Sequence, residues 1–266
     1  MTNPGLWLGE PVSKNHRVSA VKTCPFDPAD LVARCVAAAT ARGFRVEPLA
    51  TVDGVSLVAL TRRAIGGRPR IYLSAGMHGD EPAPPLALLE MLEADTFDDR
   101  ATWFLVPLLN PAGFRAGTRD NAAGIDLNRD YLDLKSAEVR GHVAWLRRQP
   151  NFDLTICLHE DWEATGFYLY ELNPQQRLSL APAMLAAATH DLPVEPGEVI
   201  DGRPIDQPGI IRPVSDPLLR ETWPEAIYLR HHHTTLSYTT ESPSTVDLPR
   251  RIAAQRAAIE AALRAL

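Results

Sequence analysis

Apolar residues recur with helical spacing from Asp27 to Arg42, where Leu31, Cys35, Val36 and Ala39 fall on one stripe. Asp27 and Pro28 open this segment and Gly43 follows it, so the pattern predicts a capped amphipathic helix. Two short apolar stretches come next, Val46 to Val52 and Val55 to Leu60, divided by Asp53-Gly54, a pair suited to a tight antiparallel hairpin. Arg70 to Ala75 is a compact apolar run closed by Gly76, and Pro82 to Ala94 returns to helical spacing. Thr102 to Val106 and Asp153 to Leu158 repeat the buried-strand pattern, with the helical segment Lys135 to Arg148 between them. Central strands alternating with helices predict an α/β sheet covered on both faces, within one domain spanning residues 1–266.

Further along, Phe167 to Glu171 reads as a strand and Gln175 to Thr189 as an Ala-rich helix. Pro193 to Pro217 loses periodicity, yet Ile200, Ile205, Ile210 and Ile211 punctuate it. That combination predicts a long ordered loop framing a substrate site. Leu236 to Thr240 is a late strand leading to Glu241, and Leu248 to Leu266 is an Ala-rich terminal helix.

Charge narrows the partners. Among 266 residues, 27 Lys and Arg face 33 Asp and Glu, a net charge of −6, and no basic run offers a phosphate-tracking surface. Nucleic acid is therefore not expected, and a small molecule or short peptide is. The longest apolar runs fall short of a membrane span, so no membrane partner is expected either. Lys14, Arg17 and Lys22 lie among polar residues and prolines without the apolar core of a secretory signal, which points to the cytoplasm. Cys24, Cys35 and Cys157 are odd in number and lack a C-x-x-C spacing, so neither a disulfide framework nor a thiolate zinc site is indicated.

Candidate chemistry begins at Gly76-Met77-His78-Gly79-Asp80-Glu81, where a buried strand gives way to a helix and open α/β sheets place their ligands. His78 and Glu81 can turn toward one point if Gly79 makes the turn tight; the alternative is a solvated loop. His159 also follows a buried strand and supplies a third ligand, the alternative being a core histidine bonded to backbone. Two histidines and a carboxylate leave one position open for water and lower its pKa, the ligand set of hydrolytic rather than structural zinc. The segment Asn110 to Arg129 adds Arg119, Asn128 and Arg129, which can grip a carboxylate or form a turn-rich solvated loop.

Taken in order, H-G-D-E, N-P-x-G, R-x-N, G-x-D-L-N-R, a His after a strand and a Glu closing a late strand resemble the zinc carboxypeptidase A family. Short bacterial relatives of that family such as the murein peptide amidases share the pattern, and the resemblance covers roughly residues 70 to 245. It implies a zinc carboxypeptidase-like fold with a mixed, mostly parallel sheet, and one Zn2+ per chain held by His78, Glu81 and His159. It further implies that Asn128 and Arg129 bind a terminal carboxylate, that Arg119 faces the scissile carbonyl, and that Glu241 is the catalytic glutamate. Three features depart from the family. Neither Tyr228 nor Tyr238 has the spacing of its mobile tyrosine. Glu160-Asp161-Trp162-Glu163 is an acidic run suited to a cationic group or to a solvated loop. No segment matches its propeptide, as fits a cytoplasmic enzyme.

His231, His232 and His233 are adjacent and cannot converge on one ion in regular structure, so they read as a loop or strand start. Asp80 is placed to orient a ligand histidine or to lie on the surface, and Trp103, Phe104 and Trp145 read as core. The reading is a zinc metallopeptidase that cleaves an amide bond next to a free carboxylate in a short peptide or peptide-like substrate. An acyl-amino-acid deacylase resembling aspartoacylase and succinylglutamate desuccinylase shares H-x-x-E, D-L-N-R and the later His. A zinc- or carboxylate-binding protein without turnover is the alternative of another class, and Glu241 separates it from the enzymes.

Overall fold

Asp53 and Gly54 both adopt positive φ, and across them β1 (Arg45–Val52) pairs antiparallel with β2 (Val55–Arg62), as the hairpin signal predicts. In this computed structural model, which describes residues 26–200, 202–205, 207–213, 216 and 219–265, the hairpin forms one end of an eight-stranded sheet. The other strands are β3 (Arg70–Ser74), β4 (Thr102–Val106), β5 (Leu154–Asp161), β6 (Tyr168–Leu172), β9 (Ile210–Ile211) and β10 (Ser237–Pro243). Their order is β1-β2-β4-β3-β5-β10-β6-β9. The central strands β4, β3, β5 and β10 run parallel, while β2 and β6 join antiparallel at either side. A separate ribbon joins β7 (Val199–Ile200) to β8 (Arg203–Pro204). Lys14, Arg17, Lys22, Cys24 and Pro217 lie outside the described residues.

The sheet is buried on both sides, and pleating sorts its side chains into two cores. Leu73, Leu105, Ile156 and Tyr238 face the layer formed by α1 (Pro28–Ala41), α2 (Ala83–Glu93), α5 (Ala181–Ala188) and α7 (Leu248–Ala265). Tyr72, Phe104 and Cys157 face the opposite layer, built from α4 (Ala137–Leu146) and α6 (Glu225–His232), where Trp145 is also buried. Trp103, Phe104 and Trp145 are thus core residues, as expected. Capping sets the helix starts: the Asp27 side chain accepts from the Ala29 and Asp30 amides at α1, and Ser136 accepts from the Val139 amide at α4.

Four local expectations need correction. Asn110 to Ala116, which reads as a turn-rich loop, contains the short helix α3 (Pro111–Ala116), begun by Asn110 accepting from the Gly113 amide. The helix expected from Gln175 starts only at Ala181. Gln176 has φ 51°, and the Asn173 side chain is bonded to both backbone groups of Arg177, which holds this stretch in a closed turn. His231 and His232 occupy the last turn of α6 rather than a loop or strand start. This helix is short and offers the apolar pattern only Ile227, Tyr228 and Leu229. The Pro193–Pro217 stretch frames itself with β7, β8 and β9 rather than remaining without regular structure.

Candidate metal and substrate site

The candidate residues come together where parallel strands end. After β3 the chain turns at Gly76, φ 65°, whose carbonyl accepts from the Leu109 and Asn110 amides, so the loop after β3 is stitched to the loop after β4. Gly79 then meets Gly113 backbone to backbone, and a Cβ on Gly79 would overlap the Gly113 carbonyl. Asn110 completes the arrangement: its Oδ1 starts α3 and its Nδ2 donates to the Arg119 carbonyl at 3.0 Å. The N-P-x-G motif is therefore a bracket that fixes where Arg119 begins.

His78, Glu81 and His159 are buried and converge, their candidate ligand atoms lying within 4.8 Å of one another. His78 Nδ1 lies 2.6 Å from Glu81 Oε1, and His159 Nδ1 lies 2.9 Å from Glu81 Oε2. The two imidazoles, centroids 4.9 Å apart, flank the carboxylate. The far nitrogen of His78, Nε2, lies 3.2 Å from Asp126 Oδ1, which turns Nδ1 inward toward Glu81. Arg119 Nη1 approaches that same Nδ1 at 3.3 Å, as suits an acceptor rather than a second N–H. Two inward imidazoles and one carboxylate, with the outer nitrogen held by a second carboxylate, are the donor chemistry of a catalytic zinc site. The residues fit the ion.

Charges around the triad are mutually compensated. Burial opposes ionisation of Glu81, yet His78 and His159 outweigh it and hold this carboxyl well below its usual range. Burial favours neutral His78, but Glu81 and the Asp126 hydrogen bond raise its pKa overall. Asp126 is buried enough to resist charge, and His78 and Arg119 still hold it far below the ordinary carboxylate range. Arg119 Nε donates to Asp126 Oδ2 at 3.0 Å, and its Nη1 stands 3.6 Å from Glu81 Oε1. Asp126 thus ties a candidate ligand, His78, to the candidate oxyanion cation, Arg119. Within G-x-D-L-N-R, sequence alone gives Asp126 no role. It offers the orienting role to Asp80, which is exposed. The available signal is its capping position, since Asp126 starts the Leu127–Arg129 turn by accepting from the Asn128 amide.

Glu241 lies inside β10 rather than after it, and the parallel ladder pairs it with His159. Both side chains leave the α6 face of the sheet together. Burial pushes the Glu241 carboxyl well above its ordinary range; Glu81 and Asp161 add to this, and His159 and Arg119 oppose it. On the antiparallel side Glu241 pairs with Tyr168, whose hydroxyl donates to Asp161 Oδ2 at 2.8 Å. Asp161 therefore belongs to a buried contact and not to a solvated acidic loop, whereas Trp162 is exposed. Asn128 accepts through Oδ1 from the Glu225 amide at 2.9 Å, leaving its NH2 group as the donor. Arg129 is exposed on the same turn and donates to the Asn128 carbonyl. Cys35 and Cys157 are free and buried. No helix among the described residues is long and apolar enough to cross a membrane.

A His-Glu-His triad at parallel strand ends, on a mixed sheet with helices on both faces, is an arrangement of the metallocarboxypeptidase type. Comparison with known proteins agrees. Residues 67–198 match the succinylglutamate desuccinylase/aspartoacylase catalytic domain. Carboxypeptidase SOL1 of Arabidopsis thaliana is 29% identical over 116 residues, which cover 36% of this chain and only 23% of SOL1. Among solved structures, a Shewanella amazonensis protein classed as a metallopeptidase superposes with a TM-score of 0.78 and 25% identity. The match covers 89% of this chain and 92% of that one. A Pseudomonas aeruginosa metallo-carboxypeptidase bound to (2-guanidinoethylmercapto)succinic acid shares the fold, with a TM-score of 0.62, 21% identity and coverage of 89% and 67%. In sequence and fold the chain is similar to the zinc carboxypeptidase-like proteins.

Proposed function

We propose that this protein is a zinc-dependent peptidase that hydrolyses an amide bond next to a free carboxylate in a short peptide or peptide-like substrate. The observation that carries the reading is the pairing of Glu241 with His159 on adjacent parallel strands, beside a triad whose inward atoms suit zinc. His78, Glu81 and His159 hold the ion, which when bound supplies a Lewis acid for the carbonyl and makes water more acidic. The NH2 group of Asn128 and the Arg129 guanidinium bind the substrate carboxylate; Arg129 suits the bidentate geometry. The inhibitor of the Pseudomonas aeruginosa relative, a succinic acid derivative, supports a site that accepts carboxylates. Glu241 takes a proton from the attacking water and returns it to the leaving nitrogen, a role helped by a carboxyl whose pKa is already raised. Arg119, held by Asp126, faces the oxyanion that develops on the substrate.

The match to the desuccinylase/aspartoacylase domain favours a second reading, deacylation of N-acyl amino acids at the same site. Both readings need the triad and Glu241 and differ in the leaving amine. The deciding experiment purifies the chain without a histidine tag, measures zinc by mass spectrometry, and assays peptides with free carboxyl termini against N-acetyl and N-succinyl amino acids. One zinc per chain with turnover of peptides alone supports the peptidase. Turnover of acyl amino acids alone replaces it with the deacylase. Zinc binding without turnover of either returns the chain to a binding role.

A further inference from the structure

Strand pleating sends His159 and Glu160 out of opposite faces of β5, and Glu241 and Ser242 out of opposite faces of β10. Because Ser242 pairs with Glu160 as Glu241 pairs with His159, the reverse side of the site carries its own pair of polar residues, facing α7. Two α7 side chains meet them. Arg251 Nη1 donates to Glu160 Oε1 at 2.6 Å, and Ser242 Oγ donates to the same oxygen at 3.1 Å. The other oxygen of Glu160 accepts from the Ala83 amide at 2.9 Å, two residues beyond Glu81. Gln255, fully buried, donates through Nε2 to the His159 carbonyl at 2.8 Å and to Ser242 Oγ at 3.1 Å. Its Oε1 accepts from Thr240 Oγ at 2.7 Å.

The chain segments that carry Glu81, His159 and Glu241 are thus bonded to one another from behind. The α7 positions around this cluster, Ile252, Ala254, Ala258 and Ile259, are apolar core. An amide and a guanidinium–carboxylate pair buried among them cost free energy unless fully bonded, and an apolar filling would serve packing at least as well. We infer that Gln255 and the Arg251–Glu160 pair are positioning residues that set the separation between Glu241 and the His78–Glu81–His159 triad. The inference rests on the reading that the triad holds the metal and Glu241 moves the proton.

The test uses the full chain with two variants, Gln255→Met and the double variant Glu160→Gln/Arg251→Met; the latter removes the ion pair without stranding a buried charge. Zinc content, kcat, KM, Tm and the visible spectrum of the Co2+-loaded protein are measured for each. Both variants are expected to keep one metal per chain and a KM within about two-fold of wild type. Their kcat is expected to fall on the order of 10- to 100-fold, and their cobalt absorption bands are expected to move. If Tm falls while kcat and the cobalt spectrum stay as in wild type, the cluster is packing alone and the inference is overturned. A kcat that falls only in proportion to lost metal overturns it as well. A wild-type chain that takes up neither zinc nor cobalt refutes the underlying site assignment, and that result is read on the wild type without any variant.

Discussion

Two buried clusters of histidine and carboxylate lie on the same face of this sheet, and only one has the makings of a reaction centre. In the first, two imidazoles turn toward Glu81, while Asp126 and Arg119 sit at its partly open edge, about a quarter exposed. In the second, His142 is wholly buried between two phenols, with Nδ1 2.7 Å from the Tyr131 hydroxyl and Nε2 2.9 Å from that of Tyr72. The Tyr72 hydroxyl donates to Glu225 Oε1 at 2.6 Å, and Ser74 donates to the other oxygen of Glu225. Burial drives His142 down to about 3, so its imidazole is neutral at pH 7, and burial also raises the Glu225 carboxyl. In the first cluster Glu81 and Asp126 stay ionised because histidine and arginine lie against them. The difference teaches that residue types do not make a site; compensated charge with an open edge does.

That contrast can be broken in order of expected effect. Replacing both His78 and His159 by Ala removes the metal, and with it all turnover above background, as mass spectrometry and the two substrate assays would register. Glu241→Gln keeps the metal and lowers kcat about 10²- to 10⁴-fold, the usual weight of a general acid–base group; unchanged turnover would remove Glu241 from the mechanism. Asp126→Asn weakens zinc binding about 10- to 100-fold in a chelator competition, since His78 loses its orienting carboxylate. His142→Phe, by contrast, leaves kcat and KM as they are and lowers stability by about 1–3 kcal/mol in urea titration, through the polar partners it strands. Activity loss in this variant would erase the distinction between the clusters.

A pH dependence sharpens the same contrast. His142 binds a proton in the unfolded chain near 6.5 but resists it in the folded chain until about pH 3. The unfolded state therefore holds more protons across that window, and stability falls as pH drops from 6.5 toward 3. The fall is expected to be shallower in His142→Phe than in wild type when urea midpoints are compared at pH 7, 5.5 and 4.5.

Much of this was legible in the chain where local chemistry and tertiary context agree. Asp27-Pro28 starts a helix and Asp53-Gly54 turns a hairpin because both signals act within a few residues. The buried runs from Arg70, Thr102 and Asp153 are strands because nothing but a two-sided sheet can cover them. The triad was legible through the rule that ligands gather at parallel strand ends. Asp126 escaped because its role depends on a contact 48 residues away in sequence, and Gln255 because nothing in an Ala-rich helix marks a glutamine as buried. Helix α6 escaped because tertiary burial of Glu225, Ile227 and Leu229, rather than a long apolar stripe, holds it together. The wrong start of α5 has the opposite cause, since good helix composition lost to the turn closed by Asn173.

The contact of Gly79 with Gly113 carries a consequence for how this chain can change over generations. The two residues stand 34 positions apart; a Cβ on Gly79 would run into the Gly113 backbone, and a Cβ on Gly113 into the Asn110 side chain and the Asp120 carbonyl. A side chain at position 79 would meet main chain that no rotamer change can move aside, and one at position 113 would displace the Asn110 amide that starts α3. Any lineage that replaced either glycine would have to re-route the Asn110 turn that anchors Arg119, so these two small residues are inherited as one.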